Sequence, residues 1–156
     1  MSNLYNLLLF LHSWNRWIIL ILGIVLIVRL ISALSGSKEF SVSLKKLALY
    51  YIISLHIQLL FGLLLYFFLS PLTSVALDDF AFAMKNPGLR FWAVEHTFLN
   101  IIGIALAQIG YARSKRQIND YKRLKTMLTW TSISLILIIL VIPIGIMGVD
   151  RPLFRF

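Results

Sequence analysis

The chain has 156 residues, of which 60% are apolar and only 13% are charged, and its mean hydropathy is +0.87. Soluble domains carry about a quarter charged residues, so this composition excludes a fold whose whole surface faces water. The absence of cysteine excludes disulfides, thiolate metal sites and c-type haem attachment. The net charge of +9 does not indicate nucleic-acid binding, because ten of the 15 basic residues lie in or beside two loops.

Four apolar segments are long enough to cross a hydrocarbon core as helices, which takes about 20 residues. The second segment ends before Pro71, and the connection that follows contains the turn signal Asn86-Pro87-Gly88. A basic stretch precedes the last segment, which contains Pro143 near its end. The predicted spans are about 7–34, 47–69, 89–112 and 126–147.

The positions of the basic residues predict the orientation of the chain. Both basic loops are expected on the cytoplasmic side, so the N-terminus, the 71–89 connection and the C-terminus face outward. Continuous apolar runs predict helices, and short loops favour antiparallel neighbours. The sequence therefore predicts a single all-α domain over 1–156. It is an antiparallel four-helix bundle (N-out, C-out) that lies in the lipid bilayer of a bacterial inner membrane.

All three histidines of the chain fall inside predicted spans, where ionisable side chains are costly and need a reason. His12 lies in the first span, His56 in the second and His96 in the third. This distribution favours a shared ligand-binding role. The alternative is that the three side chains are hydrogen-bonded contacts between helices.

Depth in the membrane favours one pair of histidines. At 1.5 Å per residue, His12 and His96 both lie roughly 10 Å inside the outer ends of their helices, and His56 lies roughly 20 Å deep. We therefore expect His12 and His96 to be the axial ligands of a b-type haem, with His56 as an alternative partner.

A haem also needs cations for its two propionates, and arginine suits carboxylates. The outward-side candidates are Arg16 and Arg90, followed by Arg151 and Arg155. An alternative for Arg16 is an internal ion pair with Glu95.

Two further patterns each allow two interpretations. Small residues follow His96 at helical spacing, which allows close approach of either a porphyrin or a neighbouring helix. Tryptophans near the outer interface are typical of an aromatic belt, and stacking on a quinone is the alternative. The small-residue stripe is Asn100, Gly103, Ala107 and Gly110, and the aromatic cluster is Trp14, Trp17, Phe91 and Trp92.

Three segments, at 12–17 (HSWNRW), 55–62 (LHIQLLFG) and 90–96 (RFWAVEH), resemble the small four-span membrane proteins of Bacteroidota labelled cytochrome b or cytochrome b-like. The resemblance covers nearly the whole chain. It implies haem-mediated electron transfer, with His12, His56 and His96 as the matching histidines, in the plasma membrane of a Gram-negative bacterium.

We therefore expect a redox carrier, rather than a catalytic enzyme, that passes electrons from quinol to an outward-facing acceptor, with membrane or periplasmic redox proteins as partners. The sequence contains no phosphate loop or nucleophile–base pair. The main alternative is a non-enzymatic accessory subunit of a larger complex. Weaker alternatives are a zinc or copper site of His12, His96 and Glu95, and an oligomeric transporter.

Overall fold

The computed structural model describes residues 2–145 and 149–154 of the chain. Four of its helices are long and apolar enough to cross a membrane, which confirms the predicted all-α bundle. Three short helices connect the second and third spans. The helices are α1 (Ser2–Ser35), α2 (Val42–Leu64), α3 (Pro71–Asp78), α4 (Phe80–Lys85), α5 (Pro87–Arg90), α6 (His96–Lys115) and α7 (Asp120–Leu140). Two π-helical segments, Leu65–Leu69 and Phe91–Glu95, extend α2 and precede α6.

The four long helices form a ring in which α1 contacts α2 and α7, and α6 contacts the same two neighbours. Consecutive long helices run in opposite directions, so the two ends of the bundle differ. We call the end with α3–α5, the start of α1 and residues 149–154 the histidine end. We call the end with the loops at 36–41 and 116–119 the basic end.

The outer surface of the bundle is apolar, as a lipid environment requires. On α1, for example, Ile18, Ile21 and Val28 are half exposed or more. The interior is filled by a cluster of buried side chains from all four long helices, including Leu26, Tyr51 and Met127 among its members. Apolar residues therefore lie on both sides of each helix, and the chain is a multi-pass membrane protein.

Side-chain caps set the helix starts at the basic end. The Ser41 hydroxyl accepts a hydrogen bond from the amide of Leu44, and the Asn119 side chain accepts from the amides of Tyr121 and Lys122. Such caps satisfy amides that no helical carbonyl can reach. As a result α2 and α7 begin five and six residues before the predicted spans, with lysines in their first turns.

The predicted end of the fourth span was wrong. The helix ends at Leu140 rather than near residue 147, and Ile144 pairs with Asp150 as the chain turns back. Pro143 explains this end, because proline lacks an amide donor and disfavours helical backbone in the residue before it. Met147, the predicted last residue, lies outside the described residues.

The connection between the second and third spans is also more ordered than a loop. Ser70, Asp79 and Asn86 each cap the start of one short helix, and Pro71 and Pro87 occupy first-turn positions where proline fits. The turn signal at Asn86 is therefore the start of α5. These short helices pack through buried alanines against the π-helical segment that precedes α6.

Candidate functional site

His12 and His96 face each other at the histidine end of the bundle. Their ring centroids are 6.2 Å apart, and the ring planes are inclined at 55°. His12 lies on α1 three turns from its start, and His96 is the first residue of α6. This is the pair expected from depth along the helices, and the structure brings the two rings together.

The π-helical segment 91–95 sets the position of His96. Wider turns leave carbonyl groups poorly satisfied, and π-turns are frequent at functional sites. Here two hydroxyl groups bind those carbonyls: Thr97 donates to the Trp92 oxygen at 3.0 Å, and Tyr66 donates to the Ala93 oxygen at 3.0 Å. The Tyr66 bond comes from the neighbouring π-helical segment, so both wide turns are joined beside the histidine pair.

A hydrogen bond to the end of α7 fixes the tautomer of His96. Its Nδ1 lies 2.9 Å from the carbonyl oxygen of Val141, the residue that follows α7. A carbonyl can only accept, so Nδ1 carries the proton and Nε2 of the neutral ring carries the lone pair. Histidines that bind metals are oriented by this kind of second bond.

His12 packs closely against α2. A Cβ added to Gly62 would lie 3.4 Å from the Cε1 atom of the His12 ring, in van der Waals contact, so the glycine lies directly against the ring. Among the described residues, Nδ1 of His12 is buried and has no hydrogen-bond partner. An unsatisfied buried polar atom costs about 1–3 kcal/mol, so the site has reason to take a ligand.

Amide side chains hold the backbone of α1 beside His12. Asn15 donates from Nδ2 to the Ser54 carbonyl and to Oε1 of Gln58, each at 2.9 Å. Gln58 in turn donates to the carbonyl oxygen of His12 at 3.1 Å. These bonds join α1 to α2 at the level of the histidine pair and fix its height in the bundle.

Two cavities of about 120 Å³ and about 70 Å³ flank the histidine pair. The larger lies toward α2 and the π-helical segment Leu65–Leu69, and the smaller lies toward the end of α7. Most of the lining is apolar. The side chains that line both cavities are Leu9, His12, Gln58, Trp92, His96, Asn100, Ile104 and Arg151.

The segment after α7 covers the site. Arg16 and Trp17 both donate to the carbonyl oxygen of Leu153, and the Trp17 ring stacks on Phe154 with centroids 5.0 Å apart. Arg151 lies over the Trp92 ring at 5.5 Å and lines both cavities. Arg151 was predicted only as a further outward-side cation, in a tail beyond a fourth span that was expected to reach residue 147 rather than Leu140.

No protein-family model, curated protein or solved structure matches the chain. What the site can do therefore depends on its own residues.

The other predicted site residues have different positions. His56 is on an exposed face of α2, where its Nδ1 bonds the Ile52 carbonyl at 2.8 Å, and it lines neither cavity beside the histidine pair. Arg90 is also outside both cavities and forms an ion pair with Glu95 at 2.7 Å, so Glu95 pairs with Arg90 and not with Arg16. Arg16 lines the smaller cavity.

Arg155 lies outside the described residues. Within residues 2–145 and 149–154, no three histidine or acidic side chains are close enough to hold a metal ion between them, as the zinc or copper alternative requires.

The small residues after His96 contact a helix. A Cβ on Gly103 would lie 3.3 Å from the Ser134 carbonyl of α7, and a Cβ on Gly110 would overlap Trp130. These glycines form the packing seam between α6 and α7, which was the alternative reading of the stripe. Only Asn100 of the four lines the cavities.

Proposed function

We propose that the protein binds one b-type haem between His12 and His96 and carries electrons within the membrane. The observation that carries this proposal is the arrangement of the two rings. They come from helices on different sides of the bundle, and their centroids are 6.2 Å apart.

This separation is suited to a shared metal. Metal–imidazole bonds are about 2.0–2.1 Å, and about 1.1 Å from nitrogen to ring centre on each side gives a centroid separation of about 6.2–6.4 Å. A direct hydrogen bond of about 2.9 Å between the rings would bring the centroids to about 5 Å. The observed 6.2 Å is too wide for a direct hydrogen bond between the rings and leaves room for a metal between them.

The surroundings of the pair suit a flat apolar ligand. His12 and His96 would hold such a group, and the leucine, isoleucine and Trp92 side chains that line the two cavities would offer it apolar contacts. Arg151 lines both cavities and Arg16 lines one of them, so these two cations are the candidates to hold the propionates. Arg90 does not have this access.

The chain's residues have three roles in this proposal. The Val141 carbonyl holds the proton on Nδ1 of His96, the Asn15–Gln58 bonds fix the height of His12, and the segment after α7 limits the access of water. Bound haem supplies one-electron chemistry through its iron. We propose a quinol as the donor and an outward-facing membrane or periplasmic redox protein as the acceptor, in a bacterial inner membrane.

The experiment is a reduced-minus-oxidised absorption spectrum of the protein purified in detergent, with a pyridine haemochrome assay. We expect a b-type α band at about one haem per chain. His12→Ala and His96→Ala should each lose it. His56→Ala is the matched control, since His56 also lies in a long helix but outside the cavities, and it should keep the band.

Haem-free protein from cells with an ample haem supply would contradict the proposal. In that case stoichiometric co-purification with other membrane proteins would favour an accessory subunit. A spectrum that survives His96→Ala but is lost in His56→Ala would move the ligand to another site.

A further inference from the structure

A third cavity, of about 160 Å³, lies at the basic end of the bundle, far from the histidine pair. It forms where the start of α2, the end of α6 and the start of α7 meet. Room for one water takes about 10–15 Å³ on this kind of measure, so the cavity can hold a polyatomic group. Its lining residues are Phe40, Lys45, Tyr111, Ser114, Lys115 and Arg123.

The charge around this cavity is positive. Lys45 and Lys115 are exposed, and within the described residues neither pairs with a carboxylate. Lys115 instead places its ammonium group 4.3 Å from the centre of the Tyr111 ring. Arg123, the third cation of the lining, donates to Asp120 at 3.2 Å. Two lysine charges therefore remain available to an anion.

One lining residue, Ser114, has a hydroxyl group without a hydrogen-bond partner among the described residues. Ser114 is fully buried, and its Oγ forms no hydrogen bond to any residue that the structure describes. A serine inside a helix ordinarily bonds the carbonyl four residues earlier, which here belongs to Gly110. A hydroxyl that is buried without this bond is costly, and an acceptor in the cavity would satisfy it.

Competing groups at the cavity are already engaged. Asp120 accepts from the Phe40 amide at 3.0 Å as well as from Arg123, and Arg123 also donates to the Gln117 carbonyl at 2.6 Å. These bonds tie the two loops of the basic end together and keep the carboxylate away from the lysines. The lining therefore combines two lysines that have no carboxylate partner among the described residues with a buried hydroxyl that forms no hydrogen bond there.

From this arrangement we propose that the cavity of Lys45, Ser114 and Lys115 binds a phosphate group. Basic pockets between transmembrane helices on the cytoplasmic side bind the head groups of anionic lipids, and inorganic phosphate has the same chemistry. The site is independent of haem binding, because it lies at the opposite end of the bundle.

The test is a titration of the full chain in lipid-free detergent with short-chain phosphatidylglycerol, with inorganic phosphate, and with short-chain phosphatidylcholine. Lys45→Gln, Lys115→Gln and Ser114→Ala are the site variants. Lys46→Gln and Lys122→Gln are matched controls, because these exposed lysines lie near the starts of α2 and α7 at the same end of the bundle but do not line the cavity.

We expect saturable binding of phosphatidylglycerol that each site lysine substitution weakens about fivefold and that the control substitutions leave unchanged. Binding of inorganic phosphate with the same pattern identifies a soluble ligand as the source. Because Ser114 is buried, the thermal unfolding midpoint of Ser114→Ala is measured together with its binding. Weaker binding at an unchanged midpoint supports the site. Equal weakening by all four lysine variants, or no saturable binding of either phosphate compound, would overturn the proposal.

Discussion

Nδ1 of His96 at the start of α6 bonds the carbonyl oxygen of Val141 just beyond the end of α7, at 2.9 Å. The last carbonyls of a helix have no partner within it. Since α7 ends three residues before Pro143, the Val141 carbonyl is free to bind the ring. The end of one helix thus determines the tautomer of a side chain on another.

Pro143→Ala should disturb this relationship. Without proline, α7 can continue and the Val141 carbonyl can turn toward the amide of Gly145. We expect Nδ1 of His96 to lose its acceptor, with a cost of about 0.5–1.5 kcal/mol. Nitrogen NMR of histidine-labelled protein should show a single Nδ1–H tautomer for His96 in the parent and a mixture of its two tautomers in the variant. Pro87→Ala, in a short helix away from Val141, is the control, and an unchanged tautomer in Pro143→Ala would contradict this account.

The Asn15–Gln58 contact should show measurable coupling between α1 and α2. The bond is 2.9 Å long, and interhelical hydrogen bonds in membrane proteins contribute about 0.6 kcal/mol on average and up to about 1.7. A double-mutant cycle with Asn15→Ala and Gln58→Ala, measured by unfolding in detergent, should give a coupling of about that size. A second cycle, with Asn15→Ala and the exposed Gln108→Ala, should give a coupling near zero.

Gly110→Ala should be the most damaging of three glycine substitutions. Its Cβ would lie 2.7 Å from Cγ of Trp130, and the α6–α7 seam would have to open. We expect a loss of about 3 kcal/mol or more, against about 1 kcal/mol for Gly103→Ala, where the nearest atom is at 3.2 Å. Gly36→Ala, beyond the end of α1, is the control for thermal unfolding. Equal midpoints for the three variants would show that the seam is not tight.

Tyr66→Phe should loosen the π-helical segment before His96. The substitution removes the 3.0 Å bond to the Ala93 carbonyl and keeps the ring, so the expected cost is about 0.5–1.5 kcal/mol. Amide exchange should rise in residues 91–97 of Tyr66→Phe. The exposed Tyr50 provides the control, and Tyr50→Phe should leave that segment unchanged. Faster exchange everywhere in the variant would indicate general destabilisation instead.

Phe154→Ala should release the segment that covers the histidine end. Stacked aromatic pairs contribute about 0.5–1.5 kcal/mol beyond their buried area. We therefore expect about two- to tenfold faster exchange of the Arg151 amide, which bonds the Pro143 carbonyl at 3.0 Å. Phe68→Ala removes a highly exposed ring from another helix and should leave this exchange unchanged. If the Arg151 amide still exchanges slowly in Phe154→Ala, the hydrogen bonds of Arg16 and Trp17 to the Leu153 carbonyl are enough to hold the segment in place.

Hydropathy predicted the four spans and the bundle, because long apolar helices dominate the composition. The basic residues gave the same division, because most of them lie in or beside two loops. Depth counted along the helices also paired His12 with His96. The same count could not place His56 on the outer face, since small errors in helix rotation move a side chain between core and lipid. Cap residues such as Ser41 and Asn119 could have corrected the helix starts, because they are visible in the sequence.

The contacts around the site were less accessible from sequence. The Val141 carbonyl is a backbone group, so the residue type at this position does not indicate its role. Arg151 reaches the cavities only because the chain reverses after Pro143, a proline that the sequence interpretation allowed to lie within the helix. The ion pair of Arg90 with Glu95 spans five residues, a spacing that the π-helical turn between them favours over an ordinary helix.

The wide turn at 91–95 also has an evolutionary consequence. A π-turn corresponds to one residue inserted into an α-helix, and removing that residue would rotate the preceding helix by about 100° relative to His96. Related chains are therefore expected to gain or lose single residues at this point while the histidine keeps its place. Such a gap would turn Arg90 and the short helices toward a different side of the bundle, giving each relative its own outer surface above a shared pair of rings.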